Sequence, residues 1–368
     1  MIPLFKVFTD TEAAQRNIAE VLASGYVGQG KWCEQFEAAL HQLCGRRVLY
    51  VNSGTSALQL AYYLAGVGPG TEVISTPITC LATNTSIAAL GAKIVWADVN
   101  PETGNISPES ALSKISTRTR AIVGVDWGGR TCDFSSMRRD TRGITLIEDA
   151  AHGLLSEGSR GDFIAYSFQA IKTLQTADGG GLVCPSEATY ERAKLLRWFG
   201  LDRTRSDSMR CYQPVHEAGW KFQGNDVLAA MGCANVAHAL DLHEKQRKNA
   251  RFLFDRLNLL PNVVLPPFDY GSSYWLFTIL VSSPAKFEEF ASKHGVMTSQ
   301  VHARNDHYTC FSAYRDDSLP GVDHFAGHQV NIPSGWWLDE ASIVQVVQVV
   351  KDWASTHEAR WSMEPSKA

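Results

Sequence analysis

Apolar residues along this chain recur with two different periods. Over residues 11–24 (TEAAQRNIAEVLAS) and 33–43 they return every three to four positions, which predicts two amphipathic helices separated by the glycine-rich turn GYVGQGK at 25–31. From about residue 48 short β-branched runs alternate with helical stretches: VLYV, SALQLAYYLAGV, EVIST, LATNTSIAAL, KIVWADV and RAIVGVD. That alternation predicts a mostly parallel sheet covered by helices, an α/β fold. Residues 227–257, apolar early and charged late, predict one long helix. The charge-rich run KQRKNAR near 248 divides the chain into a large domain, residues 1–247, and a smaller C-terminal α/β domain, residues 248–368. The latter holds the runs VVLPP, SSYWLFTILV and HQVNIP with helices between them.

The chain has 368 residues, 45% of them hydrophobic and 20% charged, which suits a globular protein of two domains. A formal net charge of −4 supplies no basic field for nucleic acid, and no Lys/Arg cluster favours a membrane surface, so small molecules are the expected partners. No apolar run approaches the roughly 18 residues of a membrane-spanning helix, and MIPLFKVFTD lacks the basic stretch, apolar core and cleavage site of a signal peptide. A cytoplasmic location is expected. Cys33, Cys44, Cys80, Cys132, Cys184, Cys211, Cys233 and Cys310 show no CxxC pairing, and the eleven histidines no HExxH spacing. Reduced thiols and no metal are expected.

The chemistry concentrates between Glu148 and Gly181. An acidic residue ends the apolar run Ile144 to Ile147, a second strand-like run covers Asp162 to Phe168, and Lys172 follows in a turn closed by Asp178-Gly179-Gly180-Gly181. Ala170, Ile171, Thr173 and Leu174 surround Lys172. Apolar surroundings lower the pKa of a lysine and free its amine to attack an aldehyde, so Lys172 is a candidate for a Schiff base. Asp149 stands at the end of a buried strand, where ligands of open α/β sheets gather. A carboxylate there suits a protonated pyridine nitrogen, which pyridoxal phosphate needs to act as an electron sink. On these residues alone, a loop or cap carboxylate at Asp149 and a surface charge at Lys172 fit equally. In SGTSAL, at 53–58, Gly54 permits a tight turn after the strand ending at Val51, and Thr55 and Ser56 open a helix. Its free N–H groups suit a phosphate, and an ordinary helix cap fits the same residues.

Taken in order, SGTSAL (53–58), GPGTEVI (68–74), LGAKIVWADVNPETGNI (90–106), EDAAH (148–152), GDFIAYSFQAIKTL (161–174), DGGGLV (178–183) and GWKFQGNDVLAAMG (219–232) cover most of the chain. This series resembles the DegT/DnrJ/EryC1/StrS family of pyridoxal-phosphate sugar aminotransferases. The resemblance implies the aspartate aminotransferase architecture, fold type I, with a seven-stranded sheet in the large domain. It also implies transfer of an amino group from an amino acid, L-glutamate, to a nucleotide-linked keto-sugar in amino-sugar biosynthesis. The expected assembly is a homodimer with sites at the subunit interface.

By the same resemblance Lys172 carries the cofactor and moves the proton, Asp149 pairs with the ring nitrogen, and Gly54, Thr55, Ser56 and Ser167 hold the phosphate. His152 lies beside the phenolic side of the ring, with a structural role as the alternative. Cys80 stands where relatives carry an aromatic residue stacked on the ring; Leu81 or a tryptophan from elsewhere is the alternative cover. Residues 199–226 have the composition of a long ordered loop, and within it Lys221 and Gln223 replace the Asn and Arg of a segment that reaches the partner subunit's cofactor phosphate. A lysine keeps that attraction as a point charge, or it simply faces solvent. Asp126 and Trp127 close a strand at the rim, for contact with cofactor or substrate or for the core. In VHARNDHY, at 301–308, Arg304, Asn305 and His307 match the sugar-facing loop and are candidate ligands for a carboxylate, phosphate or hydroxyls. The pair Trp336-Trp337 stacks on a substrate or packs. Lys172 in place of a histidine argues against the related sugar 3-dehydratases. A cyclitol or other small ketone as acceptor, and a catalytically silent cofactor-binding regulator, are the competing readings.

Overall fold

The computed structural model describes residues 1–141, 143–205, 212–316 and 318–356. Helix α1 (Thr11–Ser24) starts where the Asp10 carboxylate accepts from the Ala13 N–H and stops at Gly25, whose φ of 69° is the left-handed ending a glycine adopts freely. Helix α2 (Lys31–Cys44) follows, its first turn held by Asp226 Oδ1, which accepts from Gly30 N at 2.7 Å and Cys33 N at 3.1 Å.

The alternating region then gives β1 (Leu49–Val51), α3 (Gly54–Leu64), β2 (Glu72–Ser75), α4 (Leu81–Ala89), β3 (Lys93–Trp96), α5 (Pro108–Ser113), β4 (Thr119–Val125), α6 (Phe134–Arg138), β5 (Thr145–Asp149), β6 (Phe163–Ser167), β7 (Gly180–Val183) and α7 (Glu187–Leu196). Seven strands pair in the order β1-β7-β6-β5-β4-β2-β3, and β7 alone runs against its neighbours. Register pairs Val125 with Asp149 and Asp149 with Ala165. The ends of β1, β4, β5 and β6 therefore open onto one rim of the sheet, the edge where α/β folds receive ligands.

Where one long helix is expected over 227–257, the chain makes two, α8 (Asp226–Val236) and α9 (Ala239–Leu257). The break sits at His238, whose N–H bonds to Asn235 O at 3.1 Å and whose Nε2 lies 3.0 Å from Asp10 Oδ2. The break thus coincides with a contact to a residue far back in the chain, which the local periodicity does not report. Small residues let α8 pack closely: a Cβ on Gly232 would come within 2.7 Å of the Phe36 ring and of Thr176 Cγ2.

Helix α9 passes through residues 247 and 248 without interruption, so one helix serves two cores. Its Ala239 lies among the apolar residues against the large sheet, with Phe36, Tyr166 and Phe168. Ala250, Leu253 and Leu257 lie in the core of a second sheet, which also takes Ile2 from the N-terminus. That sheet is antiparallel, β8 (Val263–Val264), β9 (Phe277–Val281) and β10 (Gln329–Ile332) in the order β10-β9-β8, with α10 (Pro284–Lys293), α11 (Pro320–His328) and α12 (Glu340–Thr356) around it. Asp98 fastens α11 to the first sheet by accepting from Gly321 N at 2.9 Å and Val322 N at 2.8 Å. Gly104, at φ 74°, leaves room for Phe325 of the same helix, whose ring a Cβ would approach to 2.5 Å.

Among the described residues no helix is long and apolar enough to cross a membrane. The described cysteines are all free. Cys211 and the rest of 206–211, part of the expected 199–226 loop, lie outside the described residues.

Candidate active site

Lys172 leaves the sheet rim in a loop closed on itself, with Phe168 N bonded to Gly179 O at 2.9 Å and Thr176 N to Phe168 O at 2.9 Å. Its Nζ lies 3.5 Å from the centroid of the Trp275 ring, and the Trp275 Nε1–H donates to Ile171 O at 3.1 Å, pinning the loop beside the lysine. Burial lowers the amine's pKa to about 7, against the opposite pull of Asp149 and Cys80. At neutral pH a large share of the amine is therefore unprotonated and nucleophilic.

Asp149 ends β5, buried at 4% exposure. Its Oδ2 accepts from Thr83 Oγ1 at 2.6 Å and its Oδ1 from Ala151 N at 3.2 Å. Burial pushes its pKa up, while the Thr83 hydroxyl, the Ala151 N–H and the Lys172 amine pull it back. The single Thr83 hydroxyl proton goes to the carboxylate, so across the 2.7 Å contact with Thr79 it is Thr79 that donates.

Helix α3 begins against β6. Ser53 caps it by accepting from Ser56 N at 3.1 Å, and Ser56 Oγ donates to Asn52 Oδ1 at 2.6 Å. The first N–H groups of a helix have no partner within it, which leaves those of Gly54 and Thr55 pointing outward beside the exposed Thr55 hydroxyl. Glycine at 54 lets this turn press on Ser167: a Cβ there would lie 3.0 Å from Ser167 Cβ and 3.4 Å from its Oγ. Backbone donors and the Ser167 hydroxyl are thereby gathered in one cradle suited to a phosphate.

His152 is buried and stacks on Trp275, ring centroids 4.0 Å apart. Its Nδ1 accepts from Gly128 N at 3.3 Å, and burial, with Lys172 and His302 nearby, holds its pKa well below the usual histidine value. The neutral ring thus carries its proton on Nε2, a donor. His302 lies parallel to it at 6.0 Å, its pKa lowered to about 4 by burial and by Lys172, and Trp127 meets both rings edge-on.

Trp275 and His302 are site residues that sequence reasoning missed. Each follows a residue with left-handed backbone, Tyr274 at φ 51° and Val301 at φ 64°. Such a conformation costs a side-chain-bearing residue on the order of 1–3 kcal/mol and marks functional segments, yet no local sequence signal announces it.

The expected site residues divide accordingly. Asp149, His152, Ser167, Lys172, Gly54, Thr55 and Ser56 gather at the rim. Cys80 is exposed at the start of α4, near enough to act on the Lys172 charge, while the tryptophan against Lys172 is Trp275. Lys221 is exposed, its Nζ 5.3 Å from the Trp198 ring, and its segment lies along the β1–α3 connection, with Asn52 N bonded to Phe222 O at 2.7 Å and Gln223 bridged to Val51.

The loop of residues 301–308, expected to face the sugar, is arranged differently from expectation. Arg304 gives Nε and Nη2 to Asp306 at 2.8 and 2.6 Å and Nη1 to Asp323, so its charge is spent within the protein. Asn305 is 1% exposed, and its amide donates to Thr79 O and accepts from Asn84 Nδ2, each at 2.8 Å. His307 alone of the three faces solvent. Trp127 is core, its Nε1 donating to Thr278 Oγ1 at 3.0 Å, and Trp336 and Trp337 pack on the N-terminus at Phe8 and Pro3. Asp126 is fully buried beside Glu148 and Arg160.

An amine with a lowered pKa, a buried carboxylate, a neutral imidazole donor and a phosphate cradle at one sheet rim fit pyridoxal phosphate and define a cofactor-dependent enzyme of the aspartate aminotransferase type. The model of the DegT/DnrJ/EryC1/StrS aminotransferase family matches residues 9–351, and the chain belongs to that family. It is a sugar aminotransferase, and its cofactor is pyridoxal phosphate. The structure is similar to that of AtS13 from Actinomadura melliaura, at 37% identity and a TM-score of 0.91 over 96% of this chain and 98% of that one. It is likewise similar to the sugar aminotransferase CalS13 from Micromonospora echinospora, at 34% identity and a TM-score of 0.90 over 96% and 100%. The dTDP-4-dehydro-2,3,6-trideoxy-D-glucose 4-aminotransferase of Saccharopolyspora spinosa is 28% identical over 93% of this chain and 94% of its own length.

Proposed function

We propose that the chain moves the amino group of an amino acid, L-glutamate, onto a nucleotide-linked keto-sugar in amino-sugar biosynthesis. The observation that carries this reading is the meeting of the low-pKa Lys172 amine and the buried Asp149 carboxylate at one rim, next to the phosphate cradle at the start of α3. Similarity to an aminotransferase named for a dTDP-linked keto-sugar supports the nucleotide.

When bound, pyridoxal phosphate supplies an aldehyde that condenses with amines and a pyridinium that takes up the electron pair left at the donor's α-carbon. Lys172 would hold that aldehyde through its amine and would be the base for the donor's α-proton; an amine titrating near 7 is matched to that task at neutral pH. Asp149 holds the proton on the ring nitrogen. His152 would offer its Nε2–H on the phenolic side of the ring, and Gly54, Thr55 and Ser167 would hold the phosphate, with Ser56 behind them. Cys80 lies at the open side, and Trp275 shields the lysine. In the sugar-facing loop His302 and His307 meet the acceptor, and Arg304 shapes the loop through its ion pairs. Residues 1–247 and 248–368 act as two domains around this site, and a second copy of the chain brings its Lys221 to the phosphate in a homodimer.

Absorbance spectra of the cofactor-loaded protein before and after L-glutamate, alongside Lys172→Ala, test the reading. The visible band of lysine-bound cofactor is expected to fade with glutamate and to return when a dTDP-linked keto-sugar is added. A wild type without that band, or the same band in Lys172→Ala, removes Lys172 from its role.

A further inference from the structure

Behind the rim a run of buried polar side chains joins Asp149 to the sugar-facing loop. Thr79 Oγ1 donates to Thr83 Oγ1 at 2.7 Å, and Thr83 donates to Asp149 Oδ2 at 2.6 Å. The carbonyl of the same Thr79 accepts from Asn305 Nδ2 at 2.8 Å, while Asn305 N donates to Pro77 O at 2.8 Å. Asn305 Oδ1 accepts from Asn84 Nδ2 at 2.8 Å, and Asn84 Oδ1 accepts from Ser75 Oγ at 2.6 Å. Ser75, Thr79, Thr83, Asn84 and Asn305 are each at most 1% exposed.

Two features make Asn305 the keystone of this network. Helix α4 begins at Cys80 without any side-chain cap, so its first turn, which carries Thr83, lacks the usual local anchor. Asn305 supplies that anchor from 226 residues away, clamping both the loop before α4, at Pro77 and Thr79, and the body of α4, at Asn84. On its other side Asn305 opens the short turn Asn305–His307, three residues after His302 and four after the left-handed Val301. A network that is fully buried and satisfied holds its members in one arrangement, and each donor strengthens the next.

We propose that Asn305 is a positioning residue for Asp149: acting through Thr79 and Thr83, it sets the hydrogen bond that keeps the carboxylate ready for the ring nitrogen, and it ties that carboxylate to the loop bearing His302. The inference rests on the reading of Asp149 as partner of the cofactor ring.

The test is a pH titration of the visible band of the cofactor-loaded enzyme in Asn305→Ala, Thr79→Val, Thr83→Val, the double variant Asn305→Ala/Thr83→Val, and Asp149→Ala. A ring nitrogen that loses its proton withdraws fewer electrons from the lysine linkage, so the midpoint of the band is expected to rise. Thr83→Val should raise it by roughly one pH unit, a tenfold change in the equilibrium. Asn305→Ala and the nearly isosteric Thr79→Val should raise it by less, and the double variant by no more than Thr83→Val alone, since the effect of Asn305 passes through Thr83. Thermal melting of each apoprotein separates these shifts from loss of fold; if Asn305→Ala does not fold, Thr79→Val and its double variant with Thr83→Val decide. An unmoved midpoint in Asn305→Ala and Thr79→Val, or additive shifts in the double variants, overturns the proposal while Asp149→Ala still shows its effect. An unmoved midpoint in Asp149→Ala would instead remove the reading of Asp149, and this inference with it.

Discussion

In the cofactor-free protein at pH 7, the share of Lys172 present as free, acylatable amine is expected to be about a thousandfold greater than for an ordinary lysine. With its pKa lowered to about 7 from 10.5, half of the amine is free at that pH, against about one part in three thousand for an unperturbed lysine. Crowding by Trp275 over the amine calls for a small reagent such as acetic anhydride. Peptide-level mass spectrometry across a pH series should give Lys172 a labelling midpoint near 7, and Asp149→Asn should move that midpoint down, because Asp149 raises the pKa. The same perturbation acts on stability. Between pH 7 and 10.5 the unfolded chain binds a proton at Lys172 that the folded chain does not, so this residue's contribution rises with pH through that window and is flat on either side. The slope is at most about 1.4 kcal/mol per pH unit. Urea denaturation should show that slope in the difference between wild type and Lys172→Met, with the variant the more stable apoprotein at neutral pH. A labelling midpoint above about 9, where an ordinary lysine begins to titrate, or identical pH slopes in the two proteins would refute the burial argument.

Two further substitutions probe the rim and what lies behind it. Gly54→Ala places a methyl 3.0 Å from Ser167 Cβ, so Ser167 or the start of α3 must give way; cofactor affinity should fall tenfold or more, about 1.4 kcal/mol, in a fluorescence titration, and unchanged affinity would argue against the cradle. Arg160→Met removes the cation that contacts Glu148 and lies 3.8 Å from Asp126, two carboxyl groups with no exposure. Burial, then Glu148, already hold the Asp126 pKa well above the usual range. Urea unfolding should register a loss of about 3–5 kcal/mol at neutral pH, and a loss below about 1 kcal/mol would contradict an uncompensated buried charge.

Much of the architecture is written locally in the sequence. Alternating strand and helix periods specify the α/β sheet, and Asp10 with Gly25 marks the ends of α1. Chain order alone carries Asp149 and Ser167 to strand ends, and parallel pairing then brings such ends to a common rim. Tertiary structure decided what depends on partners distant in the chain. The break in a continuous helical pattern falls at His238, whose ring nitrogen meets Asp10, 228 residues away. Trp275 and His302 reach Lys172 and His152 because Tyr274 and Val301 are forced into backbone that packing, not propensity, stabilises. Arg304 and Asn305 read as solvent-facing ligands in a polar run, yet one is neutralised by Asp306 and Asp323 and the other is buried in a network that starts at Thr79. Periodicity reports which face of an element is apolar, whereas the partner of a buried polar group is set only when two remote segments meet, because burial obliges that group to find a hydrogen bond.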